Sequence, residues 1–227
     1  MARYHPTEDW LVGYANDAID QPTAVLIATH LTFCPECRKA VRDFEEIGGA
    51  LLDVIDVDPA DAQKSSNPKE PAATSHDIMM AADDAPADLP RGTMDEIAPR
   101  PLLRYVFNRL GTTDLNALPW KFYGPGVQRA VLLKTADGGA LKLLRARPGA
   151  VFPHHGHGSE ELTVVLKGAY RDETGRYDVG DMQCISETMQ HQPIIENGGE
   201  CIALAVSEKP TIPTGFVARL FQRVTGV

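Results

Sequence analysis

Three side chains that can ligate a metal, His30, Cys34 and Cys37, are spaced H-x-x-x-C-x-x-C. On a helix, positions i, i+4 and i+7 share one face. The two thiols can then chelate one ion while the imidazole reaches it from the preceding turn. Thiolate and imidazole suit zinc, which takes four ligands in a closed structural site, and two thiolates neutralise its charge. A fourth ligand is needed, and His5 is the only other histidine among the first 75 residues. A second group stands far along the chain. His155 and His157 alternate, so on a strand both point to one face, with His154 on the other. Glu161 follows across Gly158-Ser159, where it can return to the face of the two histidines. Imidazoles with a carboxylate hold Zn, Fe, Mn or Ni, and ligand type alone does not choose among them.

The elements that must carry these residues fall into two kinds. In the first half the apolar residues recur at helical spacing. Residues 6–19 form a first expected helix, with Trp10, Leu11, Tyr14, Ala15 and Ala18 in a stripe. Residues 22–31 form a second, facing inward with Ala24, Ile27, Ala28 and Leu31. A third runs from about Cys34 towards Ile55 through Val41, Phe44, Ile47 and Leu51. Gly48-Gly49 interrupts it, at about 1 kcal/mol per glycine relative to alanine, and is expected to end it early. Residues 56–92 shift to Asp, Ala, Pro, Ser and Lys without a period, as a flexible linker does. Within it His76 is expected in solvent and Ile78-Met79-Met80 forms a small apolar island. A fourth helix is expected over Leu102–Leu110, with Leu103, Val106, Phe107 and Leu110 on one face and Gly111 as its stop.

From Trp120 the pattern changes to short β runs separated by turn signals. The clearest are Val127–Lys134, Ala140–Arg147, Glu161–Lys167, Met182–Ser186 and Cys201–Val206. Asp137-Gly138-Gly139, Asp172–Gly175 and Asn197-Gly198-Gly199 mark turns. Such spacing implies a small antiparallel barrel or jelly roll, closed by a helix over Thr214–Val224. The expected architecture is a two-domain α + β protein. A small zinc-binding helical bundle occupies 1–112 and an antiparallel β-barrel 113–227.

Composition narrows the function classes. The chain has 227 residues and a formal net charge of −9, which argues against direct nucleic-acid binding and fits a basic partner. No run of 18 apolar residues exists and no secretory signal opens the sequence, so no membrane contact and a cytoplasmic location are expected. In a reducing compartment the C-x-x-C pair is a metal chelate before it is a disulfide. Cys184 and Cys201 read as small core residues or half-exposed thiols, with a redox role as the alternative.

The H-x-x-x-C-x-x-C stretch closely resembles the zinc-binding anti-sigma motif. Residues 149–168 read G-x5-H-x-H-x3-E-x6-G and resemble the first cupin motif without a gap. A looser second cupin motif, Gly180-Asp181 followed by His191, lacks a clean Pro-x-Gly and the terminal Asn. Together the chain resembles the ChrR type of anti-sigma factor, a zinc anti-sigma domain fused to a cupin-like domain. The resemblance supports His5 as the fourth ligand of the first site and adds His191 to His155, His157 and Glu161 in the second. It also favours zinc in both. It implies sequestration of an extracytoplasmic-function sigma factor by the helical domain, and its release on oxidative stress, singlet oxygen or organic peroxide, sensed through the cupin-like domain. On this reading the protein is not an enzyme. The rival readings are a metal-dependent cupin oxygenase or isomerase with an accessory helical domain, and a metal-dependent small-ligand binding module.

Overall fold

The computed structural model describes residues 2–52, 54, 92–134, 139–207 and 211–213, without the side chains of 157 and 211–213. The expected closing helix over Thr214–Val224, and all but the last residue of the expected linker, lie outside the described residues.

Four α-helices are present among these residues. Helix α1 (Glu8–Ala15) is shorter than the expected 6–19, because the chain turns after it, with Asp17 in a left-handed conformation at φ 51°. Helix α2 (Gln21–Phe33) starts where the Asp20 carboxylate accepts the Thr23 amide at 3.0 Å. Every residue from Pro22 to Leu31 is buried, so α2 has no solvent face, unlike the one-sided helix expected. Helix α3 (Pro35–Leu52) runs through Gly48 and Gly49, and neither takes the positive φ of a helix stop. The expected early end is therefore corrected: two glycines weaken a helix without terminating it when no left-handed cap follows. Helix α4 (Arg100–Leu110) ends on Gly111 at φ 69°, as expected. Its buried face is Leu102, Leu103 and Val106, with Phe107 only half-buried.

The second half is all β. The strands are β1 (Lys121–Gly124), β2 (Val127–Lys134), β3 (Ala140–Ala146), β4 (His155–His157), β5 (Glu161–Lys167), β6 (Tyr170–Asp172), β7 (Gly175–Tyr177), β8 (Met182–Ile185), β9 (Gln190–His191), β10 (Ile194–Ile195), β11 (Cys201–Ser207) and β12 (Thr211–Pro213). They form a six-stranded sheet in the order β1-β2-β3-β11-β5-β8 and two three-stranded sheets, β10-β6-β7 and β12-β4-β9. All pairings are antiparallel. All five strands expected from hydrophobic patterning are present.

Strands β5, β8 and β11 of the large sheet are buried on both faces, while β1 and the outer positions of β2 reach solvent. Leu141, Leu143, Leu162, Val164, Ile202, Leu204 and Val206 share one apolar cluster with Leu26, Ile27, Leu31 and Val106 of the helices. The period of two sends their neighbours to the opposite, inner face. There Val165 and Cys201 pack with Phe152, Tyr170, Tyr177 and Ile195 in a second cluster. Lys142, Glu161 and Thr163 line the cavity on that inner side. One layer thus seats the helices, and the other forms the interior in which the second ligand group stands.

Candidate metal centres

The first group forms at a break in the chain rather than along one helix. His30 lies in the last turn of α2, Cys34 is the cap of that helix with extended backbone (φ −117°, ψ 99°), and Cys37 lies in the first turn of α3. Pro35 explains the break. It excludes Cys34 from helical geometry and itself suits the first turn of the next helix. The single-face geometry expected for a continuous helix is therefore corrected, yet the three side chains still converge.

His5 joins them from the N-terminal segment. Its Nδ1 lies 3.3 Å from Cys34 Sγ and 3.3 Å from Cys37 Sγ, and His30 Nε2 lies 3.4 Å from Cys37 Sγ. A tetrahedral ion with metal–sulfur bonds near 2.3 Å and metal–nitrogen bonds near 2.0–2.1 Å separates such atoms by about 3.6 Å. The four side chains thus form a cage of nearly the right size. Orientation agrees as well. His30 Nδ1 donates to the Gly180 carbonyl at 2.8 Å, which leaves the Nε2 lone pair turned to the thiols. His5 Nε2 faces the Glu36 carboxylate at 3.9 Å. Ligand imidazoles commonly present their second nitrogen to such an acceptor.

The electrostatics set the protonation of the group when no ion is bound. Burial pushes the His30 pKa down to about 4, only partly opposed by the Gly180 hydrogen bond, so its imidazole is neutral at pH 7. Burial, reinforced by the neighbouring Cys34, pushes the Cys37 thiol up to about 12. A buried thiol of this kind ionises only where a bound cation replaces its proton.

The second group stands inside the barrel. His155 and His191 pair across β4 and β9, and their Nε2 atoms are 3.1 Å apart. His155 Nδ1 donates to the Pro153 carbonyl at 2.8 Å, and His191 Nδ1 meets Asp172 Oδ2 at 2.8 Å. With both Nδ1 atoms carrying protons to these acceptors, two neutral rings would set their Nε2 lone pairs against each other. An ion between them removes that repulsion. Glu161 brings a carboxylate oxygen within 4.8 Å of the other ligand atoms. The three thus form a buried His–Glu–His group that can hold a metal. His157 is on β4, but its side chain lies outside the described residues. His154 is exposed, as the strand alternation requires.

Several residues around this centre were not singled out as functional from the sequence. Burial alone would raise the Asp172 carboxyl, but hydrogen bonds from His191, Thr174 and Gln183 outweigh it and hold it far below the usual carboxylate range. Asp172 is therefore a permanent anion fixing the His191 ring. Lys142 Nζ lies 3.1 Å from Glu161 Oε2 and 3.4 Å from Ser207 Oγ, fully within the barrel. Burial would lower its pKa, and the Glu161 charge reverses the sign, so Lys142 stays protonated. The signal for Lys142 was present: a lysine in the middle of the apolar run Ala140–Ala146, at an inward-facing position. Asp172 lay in a segment legible only as a turn. Cys184 is half-buried and Cys201 buried, and burial raises both thiols to about 12. At neutral pH neither is a thiolate.

A helical unit carrying a His2Cys2 cage, laid on a barrel that carries its own inner-face ligand group, defines a two-centre protein of helical and cupin-like parts. The ChrR Cupin-like domain family matches residues 108–209. The chain is 33% identical to the anti-sigma-E factor ChrR of Cereibacter sphaeroides over 97% of its own length and 96% of the relative's. It is therefore a member of the ChrR family. The crystal structure of Rhodobacter sphaeroides SigE in complex with the anti-sigma ChrR superposes with a TM-score of 0.66 at 30% identity, covering 91% of this chain and 99% of that one.

Proposed function

We propose that this protein is an anti-sigma factor that sequesters an extracytoplasmic-function sigma factor. The observation that carries the reading is the near full-length likeness to ChrR, an anti-sigma-E factor seen in complex with SigE. The surface supports it. Past Phe44, α3 leaves its apolar stripe uncovered among the described residues, with Ile47, Leu51 and Leu52 58%, 57% and 70% exposed. An exposed apolar helix face of this kind suits a protein partner. In this reading residues 1–112 are the sequestering unit and residues 113–227 the sensor. His5, His30, Cys34 and Cys37 hold one zinc, the metal that suits a closed N2S2 cage. His155, His157, Glu161 and His191 hold a second metal, zinc by kinship.

The signal is oxidative, singlet oxygen or an organic peroxide, and its arrival frees the sigma factor. Both ligand sets contain oxidisable groups, and ligand damage in a metal centre couples to the stability of the unit around it. No helix among the described residues is long and apolar enough to cross a membrane, which fits action in the cytoplasm, where sigma factors work. The protein regulates rather than catalyses.

The test is co-expression of the full chain with extracytoplasmic-function sigma factors of its own organism, with zinc counted in the purified complex. A stoichiometric complex carrying zinc, lost in Cys34→Ala and Cys37→Ala, is expected. Failure of every candidate sigma factor to bind a folded, zinc-loaded chain refutes the reading. Iron in the barrel together with oxygen uptake would establish the oxygenase alternative.

A further inference from the structure

The four ligands of the N-terminal centre do not share one frame. Cys34 and Cys37 are positioned by their own helices: the Arg38 amide donates to the Cys34 carbonyl at 3.1 Å and the Cys37 amide to Cys34 Sγ at 3.4 Å. His5 is positioned from the barrel, and the ring of His30, which α2 carries, is oriented from it, both at the turn between β7 and β8.

Asp181, only 3% exposed, stands immediately before β8. Its Oδ1 accepts the Arg3 amide and, at 3.2 Å, the Tyr4 amide, while its Oδ2 accepts the Asp178 amide at 2.8 Å. The Met182 amide returns a bond to the Tyr4 carbonyl at 3.1 Å. The Tyr4 ring packs on Tyr177 of β7, with centroids 4.6 Å apart. Residues 3 and 4 are thereby held along the start of β8, and the next residue is His5. One position earlier in the same turn, the Gly180 carbonyl receives His30 Nδ1 at 2.8 Å. Gly180 (φ 90°) is pressed so closely on Phe33 that a Cβ there would fall 2.8 Å from the Phe33 Cβ. One two-residue turn of the barrel thus sets the position of His5 and the ring orientation of His30.

We propose that Gly180–Asp181 is the outer shell of the N-terminal metal centre, with Asp181 as a positioning residue that holds His5 through the backbone of Arg3 and Tyr4. The proposal rests on the reading that His5, His30, Cys34 and Cys37 hold a metal. It deepens that reading by giving the sensor half a direct hold on half of the coordination sphere. A displacement of this turn loosens both imidazoles and leaves the thiolate pair in place. The barrel can then change the geometry of the centre without stripping it.

The experiment uses the full chain loaded with Co2+, as wild type, Asp181→Ala and Asp181→Asn. The barrel group has no thiol among its described ligands, so the sulfur-to-cobalt charge-transfer band reports the N-terminal centre alone. Affinity is read on that band by competition with a chelator. Asp181→Ala is expected to weaken metal binding about 10–100-fold, the usual effect of losing an outer-shell partner. The ligand-field bands should shift as His5 leaves, and the charge-transfer band should persist. Asp181→Asn retains an acceptor oxygen for the Arg3 and Tyr4 amides and should fall between the two. A Leu143→Ala control lowers stability from the shared core and should keep the wild-type spectrum.

Equal affinity and spectra for wild type and Asp181→Asn, and for Asp181→Ala where it folds, overturn the proposal and leave the metal reading standing. Absence of the charge-transfer band from wild type itself overturns both. A shifted spectrum in Leu143→Ala equal to that of Asp181→Ala also overturns it, since general destabilisation would then suffice.

Discussion

Acid should destabilise the metal-free protein through His30 by an amount the structure sets. The ring is fully buried, and burial lowers its pKa from 6.5 to about 4. The unfolded chain takes up a proton at the ordinary value, so between these limits unfolding is accompanied by proton uptake. Stability therefore rises with pH across this window, is flat with respect to this group above it, and is lost as pH falls towards 4. Each pKa unit corresponds to about 1.4 kcal/mol, so the gap amounts to about 3 kcal/mol, a large part of a typical domain's stability. The measurement is urea unfolding in the presence of a chelator at a series of pH values from 4 to 8, for wild type and His30→Gln. The difference cancels every ionisable group that the two proteins share. Wild type should lose about 3 kcal/mol relative to the variant between pH 7 and pH 4, with an unchanged denaturant slope. Parallel curves would refute the argument, because His30 would then titrate alike in folded and unfolded chains.

Three further outcomes are expected. Lys142→Met leaves the Glu161 carboxylate buried without its cation, which should lower the stability of the metal-free protein by about 3–5 kcal/mol; added zinc should restore most of the melting temperature, and a variant as stable as wild type without metal would count against the ion pair. Asp172→Asn removes the anion that orients His191 and should weaken metal binding in the barrel about 10–100-fold, measured by chelator competition on a Cys34→Ser/Cys37→Ser background. Leu26→Ala, at a side chain with no exposed surface between helices and sheet, should cost about 2–5 kcal/mol in urea unfolding; a loss below 1 kcal/mol would mean that the shared layer is looser than its burial indicates.

The sequence was most informative where one residue type does one job. Short apolar runs bounded by turn signals located β2, β3, β5, β8 and β11, because buried strands tolerate few polar residues. Apart from β4, marked by its alternating histidines, the very short strands escaped notice, since two or three residues carry no period. His30, Cys34, Cys37 and His155, which the structure gathers into groups able to hold a metal, were legible because few other roles need those types at those spacings. What could not be read is what depends on distant contact. Nothing local marks Asp172 as the partner of His191, or Asp181 as the anchor of Arg3 and Tyr4. The motif was legible, and so was a helix break near it, since one helix was expected to end at residue 31 and the next to start at about Cys34. The spacing read on a single helix face missed how the ligands converge across that break, which Pro35 enforces. The complete burial of α2 was likewise hidden, because a stripe shows one buried side and cannot show that a sheet waits on the other.

That buried helix limits where a competitor for this protein can begin. Prising α2 from the sheet would wet Leu26, Ile27 and Leu31 together with Leu141, Leu143, Leu162 and Leu204, all of them almost wholly shielded now. Each large side chain so exposed is worth about 1.5–3 kcal/mol, so thermal opening along this seam is rare. An incoming protein must first grip ground that is already bare, such as the far end of α3. Only the contacts it gains there can offset any later wedge into the seam.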